Sequence, residues 1–93
     1  MSKTEVALVI KDAFKDFQKM NNRKYEDVSP STTPIQGLAE FDSLNGMEIT
    51  LEIGERLKIE IPDLNICTDK SGKRALTIRE ITERACELVG AKE

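Results

Sequence analysis

Few side chains in this chain can do chemistry: the hydroxyl of Ser43 beside the carboxylate of Asp42, the thiols of Cys67 and Cys86, and the run Asp63-Leu64-Asn65. No histidine occurs, so a Ser-His or Cys-His nucleophile pair is impossible, and so is a histidine-bearing zinc site. A Ser-Lys pair stays formally open, with nothing in the sequence pointing to one. Asp63-Leu64-Asn65 begins like a calcium loop, but Cys67 and Thr68 stand where an oxygen ligand and a glycine are needed. Cys86 falls near the apolar side of a helical pattern and reads as a core residue. Cys67 reads as exposed, yet it has neither a histidine nor a Cys-x-x-Cys partner to activate it. Ser43 is left as the residue to account for.

The elements that must position Ser43 follow from periodicity. Ser2-Lys3-Thr4-Glu5 fits a capping box, and Val6, Val9, Ile10, Ala13, Phe14 and Phe17 then recur at helical spacing, predicting a helix over Thr4 to Met20. A long connection of residues 21–42 follows, broken by Ser29-Pro30-Ser31-Thr32-Thr33-Pro34. A loop this long is expected to be pinned by its own apolar side chains, Val28, Ile35, Leu38 and Phe41. A second long helix is expected over Ser43 to Leu57, a short helical piece over Leu64 to Ile66, and a polar loop over Thr68 to Arg74. Thr77-Ile78-Arg79-Glu80 is another capping box; it opens a last helix through Val89, with Ile78, Ile81, Ala85 and Leu88 inward and Gly90 as its stop. Aromatic strand formers are scarce, at three Phe, one Tyr and no Trp. Ninety-three residues fit one domain, 1–93. The expected fold is all-α: a small bundle of three main helices and one short one, with a long loop after the first.

The Ser43–Leu57 helix carries two apolar stripes. At roughly 100° per residue, Ile49, Ile53 and Leu57 fall on one side and Leu44, Met47 and Leu51 on nearly the opposite side. Glu48, Glu52 and Glu55 flank the Leu44 stripe. Either the helix is buried almost all round, or one stripe faces solvent and waits for a partner. An apolar strip rimmed by one sign of charge favours the partner, with Leu44, Met47, Glu48, Leu51, Glu52 and Glu55 as its docking surface.

Asp42-Ser43-Leu44 at the start of that helix resembles the attachment motif of the acyl carrier protein family. The likeness continues through Glu48, Leu57 and Glu60-Ile61-Pro62-Asp63, and the Ile-Pro-Asp ending is far more specific than the tripeptide. The resemblance implies a non-enzymatic carrier with 4′-phosphopantetheine attached at Ser43 by a phosphopantetheinyl transferase that uses coenzyme A, with Asp42 orienting or advertising the serine. The arm would hold an acyl, polyketide or aminoacyl group as a thioester. Acyl-transfer and synthase enzymes of fatty-acid or related specialised biosynthesis would dock on the second long helix. A helix N-terminus tolerates the added phosphate well.

Departures from the family leave a dedicated carrier of another acyl, polyketide or aminoacyl pathway as open as the housekeeping fatty-acid one. The net charge is only −3, Ala39-Glu40-Phe41 replaces the usual Leu-Gly before the motif, Gly46 and Gly54 lie inside the helix, and Cys67–Arg74 looks inserted. Two alternatives to a carrier are an unmodified docking module of the same shape and a small hydrolase using Ser43; the missing histidine weighs against the hydrolase. No basic stripe suits nucleic acid, and no run approaches the roughly 20 apolar residues of a membrane span. A cytoplasmic monomer is expected.

Overall fold

A computed structural model describes residues 1–92. Four helices follow in order: α1 (Lys3–Met20), α2 (Pro34–Gly37), α3 (Ser43–Leu57) and α4 (Ile78–Val89). Among the described residues the only strand-like pairing is an isolated bridge between Thr68 and Ala75. The chain is therefore the all-α bundle expected, and no described helix is long and apolar enough to cross a membrane.

Local chemistry sets where the long helices start. Ser2 caps α1 by accepting from the Glu5 N–H, while the Glu5 carboxylate accepts from the Ser2 N–H. Thr77 and Glu80 cap α4 in the same reciprocal way. Gly90, in the left-handed region at φ 67°, stops α4. Between the ends, the periodic stripes turn inward. Val6, Ile10, Ala13 and Phe14 of α1 meet Ile49, Ile53 and Leu57 of α3 and Ile78, Ile81, Ala85 and Cys86 of α4 in one core. Leu88 is only half-buried. Arg56 adds an ion pair from α3 to Asp16 of α1 at 2.9 Å and another to Glu52 at 2.9 Å.

The long loop is pinned by the four apolar side chains expected, and by hydrogen bonds besides. Phe41 is buried, its ring 5.5 Å from Phe14 and 5.6 Å from Phe17. Val28, Ile35 and Leu38 are partly buried against the core. Gln18 of α1, fully buried, donates to the Ala39 carbonyl at 2.8 Å. The first amides of α4 have no partner within their own helix, and the loop supplies one. Ile78 N–H donates to the Thr32 carbonyl and Arg79 N–H to the Pro30 carbonyl, at 2.8 and 2.9 Å.

Two expectations need correction. The short helical piece expected at Leu64–Ile66 does not form, and the short α2 at Pro34–Gly37 in the long loop is a turn more than a regular helix, with Ile35 at ψ 120° and Gln36 at φ 70°. Pro62 and the side chain of Asn65 explain the difference. Asn65 Oδ1 accepts from the Cys67 N–H at 2.9 Å, a local bond that competes with helix formation. Cys67 is fully buried, where it had read as exposed, and burial pushes its thiol up to about 12.

Electrostatics closes the chain around α4. Arg84 grips Asp63 through two bonds of 2.7 and 2.9 Å, and its guanidinium holds the Asp63 carboxyl below its ordinary value. Arg74 together with the Thr77 N–H lowers the Glu80 carboxyl from 4.5 to about 2. A depressed carboxyl contributes stability that is fully present above its unfolded value and is lost as pH falls through the folded one. Stability should therefore decline as pH falls from 4.5 to about 2. In a Glu80→Gln variant, urea unfolding at a series of pH values should show a smaller decline over that window.

Candidate functional site

The site begins with the cap of α3. Asp42 has extended backbone geometry, and its Oδ1 accepts from the Asn45 N–H at 3.1 Å, while Asn45 Oδ1 accepts from the Asp42 N–H at 3.2 Å. An asparagine thus fills the role a glutamate or glutamine usually plays in a capping box. Ser43 is the first residue inside the helix and is exposed. Asp42 is its N-cap and lies beside it at the surface.

The two stripes separate cleanly. Ile49, Ile53 and Leu57 are buried, whereas Leu44 is 63% and Leu51 73% exposed, with Met47 half-buried between them. The helix is not wrapped on all sides, so the Leu44–Met47–Leu51 strip is bare. The three glutamates are not equivalent. Glu55 is exposed, Glu48 accepts from Asn45 Nδ2 at 2.9 Å, and Glu52 is bonded to Arg56. Glu52 therefore belongs as much to the α1–α3 cross-link as to the acidic rim.

Several residues missed in the sequence shape this site. Leu64 is 77% exposed and lines an open cleft beside Ser43, together with Met47, Pro62 and Leu76. It extends the apolar strip off the helix, and no helical period could have marked it. Asn45 is buried, and its Oδ1 also accepts from Arg23 Nη1 at 3.1 Å. Arg23 further reaches Gln18 Oε1 at 3.4 Å and sits 5.8 Å from the centre of the Phe17 ring. The start of the long loop is thereby tied to the first turn of α3. Thr50, also buried, donates to the Gly46 carbonyl and accepts from the Ile66 N–H at 2.9 Å, tying the other flank.

Chemically, the arrangement offers an exposed primary hydroxyl at the positive end of a fifteen-residue helix, next to a bare apolar strip with acidic edges. The chain has no histidine to pair with Ser43. In comparisons with known proteins, no family model, no curated protein and no solved structure matches this chain.

The two faces should differ sharply in stability measurements. Ile53→Ala, at a fully buried position, should cost about 2–5 kcal/mol. Leu51→Ala, two residues away and exposed, should stay within about 0.5 kcal/mol of the parent chain. Urea unfolding followed by circular dichroism checks both.

Proposed function

We propose that this chain is a carrier protein that takes 4′-phosphopantetheine on Ser43 and presents an acyl or aminoacyl group to separate enzymes. The observation that carries the reading is the Asp42-Ser43-Leu44 motif at the exposed start of α3, with Ile61-Pro62-Asp63 following at the spacing of acyl carrier proteins. The residues present suit the group. Ser43 is open to a transferase, and the helix N-terminus favours an anionic phosphodiester.

Attachment balances simply. The Ser43 oxygen bonds to the coenzyme A phosphorus nearest the pantetheine, and the P–O bond to the nucleotide half breaks. The hydroxyl proton passes to a base on the transferase, and the nucleotide half leaves. Once attached, the arm supplies the thiol that holds the cargo as a thioester. The chain itself contributes position and recognition. Leu44, Met47 and Leu51 offer apolar contact, and Glu48, Glu52 and Glu55 favour basic surfaces on the partner enzymes. Exposed charges of this kind are screened by salt, which suits a shuttle that must also leave.

Intact-protein mass spectrometry after incubation with coenzyme A and a broad-specificity phosphopantetheinyl transferase tests the reading. One added phosphopantetheine is expected on the parent chain and none on Ser43→Ala. No addition to a folded parent chain would sink the carrier reading and favour an unmodified docking module built on the same bare strip.

A further inference from the structure

We propose that Asn65 is a positioning residue for the modification of Ser43, acting through the carbonyl of Ser43 and across the bare face of Gly46; the inference rests on the carrier reading. Asn65 Nδ2 donates to the Ser43 carbonyl at 3.0 Å. Its Oδ1 is committed to the Cys67 N–H at 2.9 Å, which fixes which end of the amide faces Ser43. Cys67 is fully buried, so this end of the bridge is anchored in the core. Gly46 makes the approach possible. A Cβ there would stand 2.6 Å from Asn65 Oδ1 and 2.8 Å from Nδ2, closer than such atoms come. A glycine inside a helix costs about 1 kcal/mol relative to alanine, and here the contact across it gives a reason for that cost.

The consequence falls on the reactive hydroxyl. Ser43 is the first helical residue of α3, and first turns are the part of a helix that opens most readily. A carbonyl oxygen has two lone pairs, so the Ser43 carbonyl can accept from Asn65 as well as from within the helix. The added bond holds the backbone of Ser43 from the flank opposite Asp42, which caps from the front. The Ile66–Thr50–Gly46 bonds and the Arg84–Asp63 pair hold the segment that carries Asn65. The Cα–Cβ bond of Ser43, about which Oγ turns, is thereby held in direction before a transferase arrives. Asn65 makes no bond to the reacting atoms.

Steady-state transferase kinetics, with the mass-spectrometric readout, test this on the full chain and on Asn65→Ala, Asn65→Asp, Gly46→Ala and the Gly46→Ala/Asn65→Ala double variant. Loss of the bond should lower kcat about fivefold, with KM for the carrier changed by less than about twofold. Asn65→Asp keeps the acceptor for Cys67 but loses the donor to Ser43, so it should fall with Asn65→Ala. Gly46→Ala should act likewise by displacing the amide. The double variant should be no slower than the worse single variant, because removing the amide clears the space the new methyl needs. Circular dichroism confirms that each variant is folded. Unchanged kcat, an effect on KM alone, an Asn65→Asp variant that behaves like the parent, or additive losses in the double variant would each overturn the inference. A parent chain that takes up no arm overturns the carrier reading as well; one modified no faster than the variants overturns only the role of Asn65.

Discussion

Helix α3 must be held tightly while one face of it, from Ser43 and Leu44 to Leu51 and Glu55, stays bare, and its first turn is where this is hardest. The stretch from Ile49 to Leu57 is held by ordinary burial of Ile49, Ile53 and Leu57. Ahead of it, Ser43 and Leu44 face outward, while Asn45 and Gly46 face inward with no apolar side chain to bury. The grip on this turn is therefore polar. An unpartnered buried polar group costs about 1–3 kcal/mol, so each inward group there needs a partner. Arg23 and Asp42 bond to Asn45 on one flank, and Asn65 and Thr50 meet Ser43 and Gly46 on the other.

That requirement reaches into the loops. Residues 21–42 run from the end of α1 to the cap of α3, and they give Arg23 to Asn45, Phe41 to the core and two carbonyls to the start of α4. Residues 58–77 give Asn65 to Ser43 and Asp63 to Arg84. Lys58 makes the turn into this second segment in the left-handed region at φ 57°, and the Ile59 N–H bonds back to the Gly54 carbonyl. Ile59 O would stand 3.1 Å from a Cβ at Gly54, which gives the second helical glycine a use too. Long connections in a small bundle are thus the clamps on the end of one helix.

On the proposed reading, an exposed serine held through its backbone and a bare apolar strip beside it form a single device. Stiffness at Ser43 would, on that carrier reading, lower the entropy to be lost when a transferase orients its hydroxyl. The strip is available to partners because the clamps take hold elsewhere. Leu64, projecting from one of the clamping segments, widens the strip beyond the helix itself.

The sequence by itself determined the three long helices, the caps that open the first and last of them, and the division of α3 into two stripes, because these depend on residues within a turn or two of each other. Ser2-Glu5 and Thr77-Glu80 were legible as reciprocal caps, and α1 begins one residue before its expected start. Ser43 and Asp42 were legible as a motif, and the acidic rim as a charge pattern. Which stripe faced solvent was not decided by periodicity, since two apolar stripes satisfy the helix equally well; packing against α1 and α4 decided it. Tertiary structure alone brought Arg23 to Asn45 and Asn65 to Ser43, each across a gap of 22 residues. It alone engaged Arg56 with Asp16 of α1 and buried Cys67. It also bound the Ile66 N–H to Thr50 Oγ1, sixteen residues away, while the local bond from the Cys67 N–H to Asn65 Oδ1 kept Leu64–Ile66 out of a helix. Contacts of this kind leave no periodic trace in a sequence, because the groups that satisfy one another are chosen by where the folded chain sets them.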